Sequence, residues 1–342
     1  MKDRITIAVD AMGGDLGLLT TIPAVVTLLN KLPLLRVFVV GDEKRIQHQL
    51  DLLPGSTARV STFKAQDRLR VVHASESIAM NELPSVALRS KKDSSIRVAL
   101  QLVKDQQADA CVSAGNTGAL MAISRFVLKT CKTIDRPAIV SEFPTADGQS
   151  YMLDLGANVD CDAEQLYQFA LMGAVYVREL RDIQRPRIAL LNVGEEEIKG
   201  NDQVKQANEL LQSDPELNYV GYIEGSDILG GKADVVVCDG FVGNVALKSI
   251  EGAAKLIVKM LTDAFQRTWY TRFIGKLAES ILRRFYHQLD PSIHNGASLI
   301  GLRGVVIKSH GNANASEFVN ALELAVSEVE RNIPAVMDSA FK

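Results

Sequence analysis

The sequence has few cysteines, no long apolar run and almost no net charge, and each of these absences excludes a class of protein. Its four cysteines among 342 residues are scattered and form no CxxC pair, so neither a disulfide framework nor a zinc ribbon is expected. No apolar run approaches the roughly 18 residues of a transmembrane helix. The 38 basic and 41 acidic residues give a net charge of −3, which argues against a dedicated nucleic-acid binder. The first ten residues lack the apolar stretch of a signal peptide, so we expect a cytoplasmic protein.

The common cofactor and nucleophile motifs are absent as well. No GxGxxG follows a predicted strand and no GxxxxGK[ST] occurs, so the sequence gives no support for NAD or ATP. There is no HExxH and no His/Cys cluster with metal-ligand spacing, so we expect neither a metal nor another cofactor. No GxSxG turn occurs and no cysteine has a neighbouring base in the sequence, which disfavours covalent catalysis.

Short apolar runs alternate with longer amphipathic ones along the whole chain. Predicted strands are 5–10, 35–40, 70–73, 110–113, 138–140, 151–155, 188–193, 219–223, 235–239 and 304–308. Predicted helices are 24–31, 44–52, 96–104, 118–129, 164–181, 204–212 and 317–331. This alternation predicts an α/β fold, a mostly parallel open sheet with helices on both faces. No linker-like stretch interrupts it, so we expect a single large unit over residues 1–342, with two lobes around a crevice as a variant.

Six predicted strands end in glycine together with polar residues. These strand ends are 10–15 (DAMGGD), 113–118 (SAGNTG), 154–158 (DLGAN), 192–200 (NVGEEEIKG), 239–244 (DGFVGN) and 309–312 (SHGN). In open α/β sheets the ligand crevice lies outside the carboxyl ends of the strands. Glycine lets backbone amides approach a ligand, and a helix N-terminus attracts an anion. We expect Thr117 and Asn244 to cap such helices. The pattern predicts a phosphate or small-anion crevice built from equivalent strand ends.

Few side chains in these strand ends suit catalysis. His310 is the one histidine in a glycine-rich strand end, and it suits either a substrate contact or a local turn. Lys248 lies one turn into the helix after residue 239 and suits either a phosphate contact or the surface. The glutamates 195–197 suit a solvated helix start as well as a site.

Residues 255–287 differ in composition from the rest of the chain. Seven basic residues face two acidic ones, giving +5, and the segment holds six of the 19 aromatic residues, including the one tryptophan. Its apolar pairs repeat every four residues, which predicts two helices broken near Gly275 rather than one straight helix. The segment, within an amphipathic basic region spanning 251–290, suits a membrane interface, an acidic protein partner or a dimer interface.

Seven motifs in order resemble one protein family. They are 10–15 (DAMGGD), 91–95 (KKDSS), 112–121 (VSAGNTGALM), 153–160 (LDLGANVD), 192–200, 238–248 (CDGFVGNVALK) and 308–311 (KSHG). Together they resemble the bacterial phosphate acyltransferase family of phospholipid synthesis (the PlsX family), from near residue 5 to near residue 330.

The resemblance implies a reaction and partners. It implies transfer of a fatty acyl group from acyl carrier protein to inorganic phosphate, giving acyl-phosphate that a membrane glycerol-phosphate acyltransferase consumes. It also implies a fold like isocitrate dehydrogenase and phosphotransacetylase, a homodimer, and peripheral association with the inner face of the membrane. A phosphate acetyl- or butyryltransferase that uses coenzyme A, and a non-catalytic lipid- or carrier-binding regulator, remain as alternatives.

The family motifs nominate the site residues. Expected catalytic residues are Lys199, Lys248, His310 and Asn192. Expected substrate or phosphate contacts are Gly14, Asp15, Gly115, Asn116, Thr117, Gly118, Asn158, Glu195, Gly243 and Asn244. Expected membrane or carrier contacts are Phe265, Arg267, Trp269, Arg272, Phe273, Arg283 and Arg284. In this scheme the lysines and His310 balance charge on phosphate and oxyanion, Asn192 and Asn244 donate to the thioester carbonyl, and Asp10, Asp15 and Asp154 brace loops.

Overall fold

A computed structural model describes residues 4–53, 57–146, 148–280, 282 and 295–341. Its centre is one sheet, in which eleven strands can be described, in the order β3-β2-β1-β4-β11-β10-β5-β6-β9-β7-β8. The strands are β1 (Ile5–Asp10), β2 (Leu35–Gly41), β3 (Leu69–His73), β4 (Ala110–Ser113), β5 (Ala138–Thr145), β6 (Gly148–Leu153), β7 (Arg187–Leu191), β8 (Asn218–Ile223), β9 (Val235–Val237), β10 (Ala297–Ile300) and β11 (Val305–Lys308).

The sheet is mostly parallel, as predicted, but its two halves run in opposite directions. β3, β2, β1, β4 and β11 are parallel neighbours, and so are β6, β9, β7 and β8. Between them, β10 pairs antiparallel with β11 and β5, and β5 pairs antiparallel with β6. The expectation that all six glycine-rich strand ends lie at equivalent edges is therefore wrong, because the carboxyl ends of β6, β9 and β7 point opposite to those of β1, β4 and β11.

Helices cover both faces of the sheet, which confirms the α/β fold class. They are α1 (Leu18–Lys31), α2 (Glu43–Leu52), α3 (Thr57–Ala65), α4 (Pro84–Ser90), α5 (Ser95–Lys104), α6 (Thr117–Leu128), α7 (Ala163–Arg181), α8 (Asp202–Ser213), α9 (Gly240–Gln266), α10 (Trp269–Leu277), α11 (Ala315–Glu330) and α12 (Ile333–Ala340).

The hydrophobic core has one continuous layer and two separate ones. Residues from both halves, such as Ala8 of β1 and Val236 of β9, share a cluster on one face. On the other face, α1 and α11 pack on the first half and α7 packs on the second. Consecutive residues of one strand, such as Ile7 and Ala8, therefore bury their side chains on opposite faces. This two-sided burial explains why many strands are apolar throughout.

Several elements depart from the sequence-based prediction. β10 was not predicted because it forms a short hairpin with β11, whereas the strand–helix alternation allows no such partner. The helices α3, α4 and α12 were not predicted either. A helix break lies near Gly275, as predicted, because α10 ends at Leu277 with Ala278 as its C-cap, and residues 279 and 280 are helical again. A further break that was not predicted lies at Arg267 and Thr268, where the Thr268 hydroxyl caps α10. Gly275 lies within α10 and allows close contact, since a Cβ there would lie 3.1 Å from Cδ1 of Phe265.

α9 and α10 form most of the basic aromatic segment. Only Gly240 and Gly243, in the first turn of α9, are buried along its 27 residues. The two helices pack against each other, and large apolar side chains stay exposed on both, among them Leu256, Met260, Trp269 and Leu277. Among the described residues, no helix is both long and apolar enough to cross a membrane.

Candidate functional site

A cavity of about 220 Å³ lies where the two halves of the sheet meet. Its walls come from the carboxyl end of β11, from β5 and β10, from the loop after β6, and from the first turns of α6 and α9. The lining residues are Thr117, Ile139, Ser141, Leu155, Gly156, Asn244, Leu247, Lys248, Gly296, Ala297, Lys308, Ser309 and His310. Among these described lining residues there are two lysines and a histidine, and no aspartate or glutamate. The wall thus combines positive charge with an apolar side formed by Ile139, Leu155 and Leu247.

Three strand-end loops of the first half meet beside this cavity. The amide of Asp15 donates to the Gly311 carbonyl at 2.7 Å, and the amide of Ser309 donates to the Ser113 carbonyl at 2.9 Å. Gly14 has a φ of +87°, and a Cβ there would lie 2.8 Å from the Gly311 carbonyl oxygen. Only glycine fits such a backbone without strain. The predicted grouping of the loops after β1, β4 and β11 is found in the structure.

Lys308 is a residue of the cavity that the sequence analysis did not nominate. It ends β11, and its side chain is 9% exposed. The amine donates to the carbonyl oxygens of Ala114, at 3.4 Å, and of Ser309. Burial lowers the pKa of Lys308 to about 8, while Asp10 and Asp15 act in the opposite direction. The signal was present in the sequence, since a lysine directly after the apolar run Val305-Val306-Ile307 is unusual at the end of a buried strand.

His310 and Lys248 both line the cavity, and both contact Glu251 of α9. The Nε2 atom of His310 lies 3.5 Å from Oε1 of Glu251, and Nζ of Lys248 lies 3.0 Å from Oε2. Burial lowers the pKa of His310, and the neighbouring lysines lower it further against the effect of Glu251. Burial thus disfavours the charged imidazolium, and His310 suits hydrogen bonding better than the charge balance expected of it.

The loop that carries His310 is held from behind by Asn295. The Asn295 side chain accepts from the His310 amide at 3.0 Å and donates to the Ser309 hydroxyl at 2.9 Å. It also donates to the Glu317 carbonyl at 2.7 Å. Asn295 is 2% exposed, so a buried amide fixes the backbone on which both cavity residues sit. The sequence carried no signal for this role.

The capping residues are not the ones predicted. Asn116 caps α6 by accepting from the Ala119 amide at 3.0 Å, and Asp239 caps α9 by accepting from the Val242 amide at 2.8 Å. Thr117 is the first residue of α6, and Asn244 lies one turn inside α9. Their side chains are not needed for capping and line the cavity instead. Thr117 brings the N-terminus of α6 to the cavity wall, and a helix N-terminus favours an anion.

Several predicted phosphate contacts are used to brace the loops. The Asn116 amide donates to the carbonyls of Met80 and Glu82, at 2.8 and 2.9 Å. The Gly115 amide donates to the Ser113 hydroxyl at 3.0 Å. Asn158 donates to the buried Asp154 carboxylate from both its backbone and its side chain.

Two predicted glycines allow close packing rather than an evident ligand contact. A Cβ on Gly118 would lie 2.7 Å from Pro84, and one on Gly243 would lie 1.9 Å from the Asp154 carbonyl oxygen. Asp10 accepts from the Met12 amide of its own loop and from the Ser113 hydroxyl of β4. Asp154 accepts from the Ala157 amide of its own loop and from the Ile139 amide of β5, so both join neighbouring segments, in line with the bracing role expected of them. A direct phosphate contact by these glycines remains a prediction.

The loop after β7 lies apart from the cavity lining. Lys199 pairs with Glu196 at 2.8 Å, and this hydrogen bond raises the pKa of Lys199. Glu195 pairs with Lys232 at 2.7 Å, and the Asn192 amide donates to carbonyls of its own loop. None of the three nominated residues lines the cavity in the described structure, and their catalytic or binding roles remain predictions.

The nominated membrane or carrier contacts divide into two groups. Trp269 is 80% exposed, and Phe273 and Arg267 are also exposed. Phe265 packs toward Gly275 between the two helices, and Nε of Arg272 donates to the Gln266 carbonyl at 3.0 Å. Their side chains therefore help to hold the turn between α9 and α10. Arg283 and Arg284 lie outside the described residues.

The fold resembles that of known phosphotransacylases. A phosphotransacetylase from Streptococcus pyogenes superimposes with a TM-score of 0.63 at 17% identity, over 96% of this chain and 95% of that one. A branched-chain phosphotransacylase from Enterococcus faecalis superimposes with a TM-score of 0.59 at 16% identity, over 95% and 99%. At such identities the likeness concerns the fold. Among the described residues, no group of three or more His, Cys, Asp or Glu side chains is placed to hold a metal ion.

Sequence comparison identifies the family. A "Phosphate acyltransferase" from Methylococcus capsulatus is 55% identical over 96% of this chain and 94% of its own length. One from Alkalilimnicola ehrlichii is 54% identical over 100% and 97%. The profile of the family described as "Fatty acid synthesis protein" matches residues 5–336. The resemblance drawn from the seven motifs is thereby confirmed, and the chain belongs to this fatty acid synthesis protein family of acyltransferase enzymes.

Proposed function

We propose that this protein transfers a fatty acyl group from acyl carrier protein to inorganic phosphate and releases acyl-phosphate for phospholipid synthesis. The observation that carries the proposal is the composition of the cavity wall. Lys308, Lys248 and His310 line the same cavity as Thr117 at the N-terminus of α6, and no carboxylate is among the described lining residues, which suits a phosphate group. The apolar side of the same cavity suits the reacting end of an acyl chain.

Apolar side chains around the cavity favour a long acyl chain over an acetyl group. Phe241 and Val245, on the first turns of α9, are exposed although they flank the lining residue Asn244. The exposed Met80 lies against Gly311, in the loop that carries His310, where a Cβ would be 2.9 Å from the Met80 Cε. Leu83 is exposed next to it. Exposed apolar side chains near a site are typical of apolar ligands.

The proposed step is direct attack of phosphate on the thioester. An oxygen of the phosphate dianion forms a bond to the carbonyl carbon, the carbon–sulfur bond breaks, and sulfur takes the proton that the phosphate carried. Phosphate is already anionic, so no strong general base is needed. The contributions of the protein are then positioning and charge stabilisation. In this proposal Asn244 donates to the carbonyl oxygen and His310 hydrogen-bonds the phosphate, since both line the cavity.

The test is a discontinuous assay of purified protein with palmitoyl-carrier protein, with and without inorganic phosphate. Acyl-phosphate is trapped as the hydroxamate, and thiol release is followed in parallel. We expect both products only when phosphate is present. Product from palmitoyl- or butyryl-CoA but not from the carrier-protein thioester would favour the coenzyme A alternative. Absence of product from every donor would leave the non-catalytic binding alternative.

We also propose that exposed side chains of α9 and α10 contact an anionic membrane surface. Trp269, Phe273 and Arg267 support this, because exposed aromatic and basic residues together suit a membrane interface. The same surface suits the acidic carrier protein or a second copy of the chain, and a homodimer on the inner face of the membrane combines these uses. The consumer of the acyl-phosphate would be a membrane glycerol-phosphate acyltransferase.

A further inference from the structure

The side chain of Lys308 has an unusual set of partners. Its amine donates to two backbone carbonyls, those of Ala114 and Ser309, and among the described residues it forms no ion pair with a carboxylate. An ammonium group has three N–H donors, so one remains for the cavity that Lys308 lines. A buried charge without a contacting counter-ion is costly. An anion in the cavity would supply that counter-ion.

The other cation of the cavity is differently placed. The side chain of Lys248 is 58% exposed, and Glu251 already contacts it at 3.0 Å. Solvent and a carboxylate therefore weaken its attraction for a ligand. Lys308 lies deeper, where electrostatic interactions are less screened. Of the two lysines, Lys308 is therefore the one whose charge is available to attract a ligand.

Of the two carboxylates that act electrostatically on Lys308, Asp10 has the larger effect, and it is fully buried. Its Oδ2 accepts from the Ser113 hydroxyl at 2.6 Å, its Oδ1 accepts from the Met12 amide at 3.3 Å, and the Ser95 hydroxyl also hydrogen-bonds it. These donors hold the carboxylate in place without an ion pair to Lys308. Asp10 thus acts on the lysine through space.

We propose that Lys308 is a catalytic residue whose ammonium group contacts the attacking phosphate, and that Asp10 is the positioning residue behind it. This inference rests on the proposed function and names the group that recognises phosphate in that site. Lys308 forms no covalent bond and exchanges no proton in the step. It offsets the negative charge that phosphate brings and that grows on the thioester oxygen during attack.

The charged groups around Lys308 define a pH signature. Asp10 and Asp15 face it from the β1 end, Lys248 faces it from α9, and His310 follows it in the chain. Burial sets the pKa of Lys308 at about 8, and Asp10 opposes a further fall. The value of kcat/KM for phosphate should therefore decline above about pH 8 as the ammonium is lost. Ionisation of phosphate itself is common to all variants and cancels in their comparison.

The experiment compares Lys308→Met, Lys308→Arg and Asp10→Asn with the wild type and with Lys31→Met, a control that removes an exposed lysine on α1 paired with Glu323. We expect Lys308→Met to lower kcat/KM for phosphate by about 100-fold or more, the loss typical of a removed charge-stabilising group, with KM for the acyl donor within a few-fold. Lys308→Arg should retain some activity without the decline above pH 8. Asp10→Asn should move the decline to lower pH, which a merely structural residue would not do.

Binding of inorganic phosphate alone separates this inference from the proposed function. We expect phosphate to raise the thermal unfolding midpoint of the wild type and of Lys31→Met, and to leave that of Lys308→Met unchanged; circular dichroism verifies folding. Lys308→Met with near-wild-type phosphate KM or phosphate stabilisation would overturn the role of Lys308. An unshifted pH profile in Asp10→Asn would overturn that of Asp10. If phosphate stabilises the protein only when Lys308 is present, but the protein makes no acyl-phosphate, the proposed reaction is overturned and the phosphate site at Lys308 is retained.

Discussion

Glu328 of α11 is a carboxyl group in the protein interior with a defined set of partners. It is 1% exposed, and it accepts from the Tyr176 hydroxyl at 2.7 Å and from the Ser298 hydroxyl at 3.0 Å. Burial raises its pKa from 4.5 to about 7 despite these hydrogen bonds. The folded state therefore favours the protonated carboxyl group. The associated stability is complete below pH 4.5 and is lost as the pH rises through 7.

Replacing Glu328 by glutamine should remove this pH dependence. Glutamine keeps an acceptor for Tyr176 and carries no charge. The stability of Glu328→Gln should therefore increase relative to that of the wild type between pH 5 and pH 8.5. The difference in the free energy of unfolding should grow by up to about 3 kcal/mol across that range. Urea denaturation at four pH values measures it. If the free energies of unfolding of the two proteins change in parallel with pH, Glu328 stays charged in the folded state.

At the residue scale, the sequence indicated which side chains are polar at strand ends but not which ones are buried there. Lys248, Lys199 and Lys308 all lie in family motifs. Lys199 stands in solvent beside Glu196, whereas Lys308 is buried in the cavity wall. The difference depends on the backbone path after β7 and β11, which long-range strand pairing decides. No local pattern distinguishes the two lysines.

At the scale of elements, the start of α9 depends on two close approaches of backbone. Gly243 meets the Asp154 carbonyl and Gly240 meets the Asn158 carbonyl, so the first turn lies directly on the loop after β6. This contact places Asn244, Leu247 and Lys248 at the cavity. A side chain on Gly243 would push the helix away from the sheet.

Two glycines of the same helix make a matched test. Gly243→Ala should destabilise the protein by at least 1–3 kcal/mol and reduce activity, because its Cβ would meet backbone. A Cβ added at Gly252 would have no atom within 4 Å, so Gly252→Ala should stabilise the helix by about 0.5–1 kcal/mol. Thermal unfolding and acyl-phosphate formation are measured for both. Equal behaviour of the two variants would show that α9 does not rely on that approach.

The elements that the sequence predicted well are those with local signals. β1 and β4 were predicted to the residue because they are apolar on both faces and bounded by polar residues. β10 failed because Ala297-Ser298-Leu299-Ile300 makes sense only as the antiparallel partner of β5 and β11. The break at Arg267 and Thr268 was missed because no glycine or proline marks it in the sequence.

At the scale of the whole molecule, the exposed face of α9 and α10 should govern attachment to membranes. Trp269→Ala combined with Phe273→Ala should reduce sedimentation with phosphatidylglycerol-rich vesicles several-fold, because burial of two aromatic side chains is lost. Leu52→Ala, at an exposed leucine of α2, is the control. Unchanged sedimentation of the double variant would exclude these aromatics as the anchor. Light scattering of the same double variant would then show whether these aromatic residues form a dimer interface.

The same scale shows what sequence reasoning could not reach. Strand–helix alternation predicted the mostly parallel sheet, but not the reversal of direction at β10, β5 and β6. Because of that reversal, the cavity lies between opposed strand ends rather than along one edge. Residues such as Gly156 and Lys308 therefore meet from opposite halves of the sheet.

The length of α9 has a mechanical consequence. Its 27 residues form an uninterrupted rod of about 40 Å at 1.5 Å per residue. One end is fixed in the cavity wall by Gly243, and the other carries the turn to Trp269. A rod pivoting near its fixed end moves its far end much more than its near end. Conversely, a partner that binds the far end of α9 would restrict the movement of Lys248 and Glu251 at its near end. Such binding would thereby also fix the geometry around His310.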